Sequence, residues 1–408
     1  MLARFRHFIA FFGSGLIVSV AYMDPGNWGT NIEGGATFNY DLLWVIWMAS
    51  GMAMLFQYLS GKLGIRGYSL PELVQKKLRS RSLVFLYWIF SEFAILATDL
   101  AEFLGIVVAL NLLFGIPMLI GTWIAVFDVL IILILAQKRF RRLEQSFVLF
   151  VGIIGIAFVY ELFLTQPDLG SILFHSFTPI LDRDRALVSV GIIGATVMPH
   201  ALFVHSWLIK NKVIDGGYRD QKIVLRFHRL DTIISLILAG LINASMLIMA
   251  ASAFYRVSKV ATLQEAYQTL IPLFGSLSAI VFALALLSAG ISSSITGTLS
   301  GQAIMDGLMG FRVHIWVRRL ITRVINIFPL TFALLAGFEP LKLLVISQVV
   351  LSLLIPLPLI PIILFSSDRK IMGDLVNKKI TTIFASIFGG VILLFNGYLL
   401  YSLFSPVD

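Results

Sequence analysis

The residues Asp24-Pro25-Gly26-Asn27 stand inside an apolar stretch that begins near His7 and runs to about Gly35. On insertion scales a carboxylate at that depth costs about 2.5–3.5 kcal/mol, so it calls for a cation, a proton or a water-filled cavity. Pro25 removes a backbone donor and Gly26 permits unusual dihedrals, so the helix unwinds here and frees carbonyls such as that of Ala21. Asn27, three positions on, brings an amide oxygen toward the Asp24 carboxylate. A second apolar stretch carries Met198-Pro199-His200 after Gly194. Its break adds a thioether and a freed carbonyl at Ala195. Mg²⁺ and Ca²⁺ take all-oxygen shells, whereas one sulfur among oxygens favours softer ions such as Mn²⁺, Fe²⁺, Co²⁺ and Cd²⁺. Methionines in apolar helices mostly pack; the position of Met198 at a second break is what argues for a ligand.

Other ionisable groups fall within apolar stretches. Asp99 and Glu102 are three apart, share one helix face and repel if both are ionised without compensation. Protonation or pairing with Arg319 and Arg323 resolves this, and a chain of such groups is what a proton relay requires. A static ion-pair network is the other reading of the same residues. His200 lies in the second break, where a change of charge near neutral pH suits a gate or relay. His205 reads equally as a member of the proton path or as a hydrogen-bonded residue lining an inner cavity. The remaining histidines, His7, His175, His228 and His314, are expected in loops or near helix ends.

These residues need helices in a bilayer to hold them. The chain of 408 residues is 58% hydrophobic and 13% charged, with a mean hydropathy of +0.93, which a water-soluble domain could not carry without large exposed apolar patches. It holds no cysteine, which excludes disulfides, thiolate metal sites and cysteine nucleophiles. At about 20 residues per crossing, eleven spans are predicted: 8–35, 40–61, 83–113, 117–137, 145–165, 186–209, 230–254, 275–302, 314–337, 341–365 and 380–405. The first is too long for a cleaved leader and is expected to be retained. With the N-terminus inside, all but Arg183, Arg185, Arg256, Lys259 and Lys342 of the 31 basic residues fall on the inner side. That bias predicts an N-in, C-out topology, and the net charge of +9 then implies anionic lipid rather than nucleic acid.

Pro25 and Pro199 are about five helix-plus-loop units apart, taking roughly 35 residues per unit around spans of about 20. Five is odd, so the second half enters the membrane inverted: repeats at about 8–165 and 186–365, with an extra helix at about 380–405, form one transmembrane domain. Breaks at matching places in inverted repeats point to a substrate site near the midplane; ordinary proline kinks are the alternative.

The DPGN of Asp24–Asn27, the MPH of Met198–His200, NWGTNIEGG from Asn27, ATDLAE from Ala97 and GQAIMDG from Gly301 together resemble the NRAMP family of divalent metal transporters over nearly the whole chain. The resemblance implies an all-α LeuT-like fold with helices 1 and 6 broken. It implies transport of a transition metal with protons; import of Mn²⁺ or Fe²⁺ by alternating access is the mechanism expected, and a small chain with short loops is expected in the plasma membrane of a bacterium. It assigns the metal to the side chains of Asp24, Asn27 and Met198 and the carbonyl of Ala195, with Gln348 joining in an occluded state. Asp99, Glu102, Arg319, Arg323 and Glu92 are assigned to the proton route. No permanently bound cofactor and no obligate protein partner are expected. Two rivals remain: a LeuT-like amino-acid or organic-amine symporter, whose breaks should offer backbone amides to a carboxylate, and a magnesium-transporting relative, disfavoured by Met198. An enzyme is not expected, since no HExxH-type ligand set is present.

Overall fold

The computed structural model describes residues 13–128, 140–218, 220–255 and 263–404, and among them every regular element is a helix. Span 1 is two half-helices, Ser14–Ala21 and Pro25–Phe38; span 2 is Leu43–Ile65 and span 3 Arg81–Phe114. Span 4 opens with Met118–Ala125, and the part of it expected over 129–137 lies outside the described residues. Spans 5 to 8 are Phe140–Thr165, the broken pair Arg183–Val197 and Pro199–Asp215, Gln221–Phe254, and Ser276–Ile304. Spans 9 to 11 are Ile315–Leu335, the pair Pro340–Leu354 and Pro356–Ser367, and Lys379–Phe404.

Eight of these helices are long and apolar enough to cross a membrane by length and composition. The others have physical reasons for falling short. Span 1 is cut in two, span 4 is described only in part, and span 9 carries Arg318, Arg319 and Arg323. Span 7 starts nine residues before the expected 230, which moves His228 from a helix end into the buried interior. Three short helices, Leu70–Leu78, Leu169–Phe177 and Leu263–Phe274, escape a search for spans because at 9, 9 and 12 residues they fall well short of a crossing. Span 10, expected to be continuous, is interrupted at Ile355-Pro356, where proline cannot supply the amide hydrogen bond.

Both halves of span 1 are gripped from the side. The amides of Gly13 and Gly15 donate to the carboxylate of Asp231 in span 7 at 3.3 and 2.8 Å, so a buried acid caps the shorter half. Trp28 of the longer half sits edge-on to Phe158 of span 5 and Phe282 of span 8, with ring centres 4.9 and 5.1 Å away. Small residues allow the close approaches: a Cβ on Gly105 of span 3 would lie 2.2 Å from Pro25, so span 3 runs directly against the first break.

Span 8 packs along span 3 through Gly290 and Gly297, which face Ile106 and Glu102. Its many hydroxyls turn inward on their own helix. Ser288, Ser292, Thr298 and Ser300 donate to carbonyls one turn earlier at 2.6–2.8 Å. Elsewhere the surface is that of a protein solvated by lipid, with Phe93, Phe163, Phe328 and Phe332 more than half exposed.

Candidate metal site and ionisable network

The two breaks meet in the centre of the bundle. At the first, the chain leaves its helix over Tyr22-Met23-Asp24, and Asp24 caps the next half-helix by accepting the Asn27 amide at 2.8 Å through Oδ1. The Asn27 side-chain Nδ2 donates to the same Oδ1 at 2.8 Å and to the carbonyl oxygen of Ala195 at 3.0 Å. One amide group therefore holds together an acid from span 1 and a carbonyl from span 6. Met198, three residues beyond Ala195, is the single non-helical residue between the halves of span 6 and is fully buried. The Ala21 carbonyl also faces the break, where it accepts the Asp24 amide at 3.3 Å.

Gln348 of span 10 closes the site from a third side. A Cβ on Gly26 would fall 1.9 Å from its Nε2, and one on Gly194 would fall 2.0 Å from its backbone oxygen. Its Nε2 donates to Ser347 at 3.0 Å, while its Oε1 has no hydrogen-bond partner. Asp24 Oδ2 is likewise without a partner. Asp24, Asn27, Met198 and Gln348 are all at most 1% exposed. Two unpartnered oxygens in a dry pocket are costly unless something electropositive joins them. Among the described residues no cluster of three His, Asp or Glu forms a multiply charged metal site, so the pocket offers one formal charge among neutral oxygens, with buried Met198 at the facing break. The carboxylate-binding amides of an amino-acid site are absent from this arrangement, since the amide donors here converge on Asp24 itself.

The glycines give a differential prediction. In Gly194→Ala the obstacle is backbone, so a loss on the order of 1–3 kcal/mol is expected, seen as a lower Tm of the purified protein. In Gly26→Ala the obstacle is the far end of a side chain that can swing away, so Tm should hold while Gln348 leaves the site. Equal Tm losses in the two variants would contradict the geometry.

From the second break a hydrogen bond leads to span 3: His200 Nδ1 lies 3.0 Å from Thr98 Oγ1, beside Asp99. Asp99 pairs with Arg319 and lies 3.2 Å from Arg323, and its Oδ2 accepts from Asn326 at 2.7 Å. Glu102 has its Oε2 3.6 Å from Arg319, yet neither of its oxygens accepts a hydrogen bond. Glu92 pairs with Arg318 rather than with Arg319 or Arg323. His205 is separate from this network. It meets Gln57 at 2.8 Å, Gln57 donates to the Tyr22 hydroxyl at 2.7 Å, and the ring of His228 lies 5.1 Å away.

Several of these partners were missed in the sequence. Asp128 is central to the network, accepting from Arg319 at 2.7 Å and pairing with Arg323; an acid inside an apolar stretch was the available signal, the same one that marks Asp24. Arg318 stands beside Arg319 in the sequence, and no local pattern says which of the two faces Glu92. The contact of Gln57 with His205 joins residues 148 positions apart, a pairing that no local pattern reveals.

Broken helices facing each other across a polar core, in a bundle of this order, define a membrane transporter of the LeuT-like fold. The same fold appears in the solved structure of Mhp1, a nucleobase-cation-symport-1 family transporter, with a TM-score of 0.56 at 14% identity over 96% of this chain and 89% of that one. The chain belongs to the Nramp family, matching the model described as natural resistance-associated macrophage protein-like over residues 15–402. It is 43% identical to the divalent metal cation transporter MntH of Deinococcus radiodurans over 402 residues, 98% of this chain and 91% of that protein. It is 41% identical to the MntH of Bacillus subtilis over 403 residues, 98% of this chain and 94% of that protein. The crystal structure of the Eremococcus coleocola manganese transporter superposes with a TM-score of 0.84 at 33% identity, covering 96% of this chain and 86% of that one. The protein is thus a multi-pass divalent metal transporter and not an enzyme.

Proposed function

We propose that the chain carries Mn²⁺ or Fe²⁺ into the cell together with protons by alternating access, from a plasma membrane in which its N-terminus is cytoplasmic and its C-terminus outside. The observation that carries this reading is the unpartnered Oδ2 of buried Asp24 amid neutral donors. Manganese is the metal in the name of the Eremococcus coleocola relative, and the thioether of Met198 suits Mn²⁺ or Fe²⁺, with Co²⁺ and Cd²⁺ as further substrates.

The ligands are Asp24, the Asn27 amide oxygen, Met198 and the Ala195 carbonyl, with the Ala21 carbonyl and Gln348 completing the shell as it closes. The Asn27 amide hydrogens now occupy the oxygens that a cation would take. Rotation of that one amide releases the Ala195 carbonyl, removes the side-chain donor from Asp24 Oδ1, which keeps the Asn27 backbone amide, and turns Asn27 Oδ1 toward them. Because a carboxylate binds metal only when deprotonated, metal entry releases a proton from Asp24. The proton passes toward Asp99 and Glu102, with His200 and Thr98 lying between the metal site and that network. Glu102 is placed to hold it, since its oxygens accept no hydrogen bond and the nearest guanidinium is 3.6 Å away. Arg319, Arg323 and Glu92 hold the route in place, and His205 serves the inner end. Pro25, Gly26 and Pro199 keep the breaks at which the halves pivot.

The test is Mn²⁺ uptake by the purified protein in proteoliposomes with a pH dye inside. Uptake quickened by external acid and accompanied by internal acidification is expected. Mn²⁺ entry indifferent to the pH gradient would remove the coupling from this reading. In the same assay Met198→Ala should make excess Ca²⁺ or Mg²⁺ newly competitive, by roughly tenfold or more in effective concentration, since only oxygens then remain in the shell. An unchanged competition profile would show that the sulfur does not discriminate.

A further inference from the structure

A cavity of about 720 Å³ opens between the end of span 2, the start of span 7 and the segment leading into span 11. None of the residues proposed to handle metal or protons lines it. Its charged lining is Lys62, Lys222, Arg226, Arg229 and Lys378 against the single acid Asp374, and none of the five cations forms an ion pair among the described residues. Lys222, Arg226 and Arg229 follow one another at intervals of four and three along span 7, so three like charges share an exposed helix face, and an anion held between them would relieve their repulsion.

Lys62 gives the second, independent observation. It is only 3% exposed, and its ammonium meets the neutral amide oxygen of Asn377 and, at 5.7 Å, the ring of Tyr58. A lysine charge buried so far is normally matched by an anion; here the side chain at the back of the cavity has a hydrogen bond but no counter-charge. Leu55 and Leu225 add apolar wall, and outside it span 7 offers Ile223, Leu230 and Ile233 as exposed apolar surface. A cationic pocket with a greasy exit along a membrane helix matches an amphiphile whose head is an anion and whose tail is acyl.

We infer that this cavity binds the phosphate headgroup of an anionic phospholipid from the adjoining leaflet, with Lys62 at its floor, Arg226 and Arg229 at its rim, and the acyl chains along span 7. Basic pockets between membrane helices are suited to such headgroups, and the volume lies in the usual range for ligand sites. The site is independent of the metal pathway, so its test does not read transport.

The experiment is native mass spectrometry of the intact protein in neutral detergent, titrated with phosphatidylglycerol or phosphatidylcholine, with Tm followed in parallel and inorganic phosphate as a separate arm. Phosphatidylglycerol should be retained in preference to phosphatidylcholine and should raise Tm. The Arg226→Gln/Arg229→Gln pair, both on exposed surface, should weaken that preference roughly tenfold or more. Lys62→Gln, which keeps a donor for Asn377, should weaken it as well. The Lys76→Gln/Lys77→Gln pair removes the same charge from exposed positions off this cavity and should leave the preference intact. Equal retention of the two lipids, or equal losses in the cavity and control variants, overturns the proposal. A rise in Tm with inorganic phosphate and no lipid preference overturns the lipid source and leaves a soluble phosphate as the anion.

Discussion

Asp24→Asn should lower Mn²⁺ affinity by on the order of 100-fold and abolish uptake while leaving the fold intact. The carboxylate is the only formal charge among the proposed ligands, so its loss should stand at or above the upper end of the roughly 10–100-fold typical of outer-shell changes. The amide that replaces it is the same size and can still accept the Asn27 amide hydrogen, the 2.8 Å cap that starts the second half of span 1. Removal of a buried charge also lifts its desolvation cost, so Tm in the absence of metal should stay level or rise. Isothermal titration with Mn²⁺, beside a thermal melt of the same sample, separates the two effects. Binding within a few fold of the intact protein would move the metal away from the first break.

Arg319→Met should be among the most destabilising single changes in the molecule, costing about 3–5 kcal/mol, because it strips Glu102 of its guanidinium and leaves buried Asp99 and Asp128 to share Arg323 alone. Arg319 meets Asp99, Asp128 at 2.7 Å and Glu102 at 3.6 Å, and is 1% exposed. Arg319→Lys should recover little, since one ammonium cannot reproduce the guanidinium fork that reaches Asp99 and Asp128 at once. Arg319→Met/Asp99→Asn should be more stable than Arg319→Met alone, as one stranded charge has been removed. Denaturant or thermal unfolding of the four proteins in one detergent decides the matter. If Arg319→Met costs under about 1 kcal/mol, the network is not an ion-pair framework in the sense of a buried, fully desolvated pair.

The legible part of the protein was the part written locally. Long apolar runs gave the spans, and Pro25, Gly26 and Pro199 gave the breaks, because proline and glycine act on the backbone where they stand. Asp24, Asn27, Ala195 and Gln348 do come together, with Gln348 the one that only the family resemblance supplied. What escaped is what the three-dimensional packing decides. Hydropathy ended span 7 too late at its start, so His228 looked peripheral, although it lies against His205 and hydrogen-bonds the Tyr58 carbonyl at 3.1 Å. The arginine partners were half right: Arg319 and Arg323 take Asp99, but Asp128 joins them and Arg318 takes Glu92. A charge inside a membrane helix announces that a partner exists, and only the fold says which one.

The inward-turned hydroxyls of span 8 bear on how the molecule moves. Where serines and threonines spend their hydrogen bonds on their own helix, the face they present to a neighbour behaves as a bearing. Among the described residues no side-chain hydrogen bond joins span 8 to span 3, so dispersion and the seating of Ile106 and Glu102 against Gly290 and Gly297 are what hold the two in register. Thr296 is different: its hydroxyl donates to the carbonyl of Ile17, in the short half of span 1, at 3.2 Å. A shift of span 8 is therefore passed by a hydrogen bond to residues 14–21, whose other anchor is Asp231 of span 7.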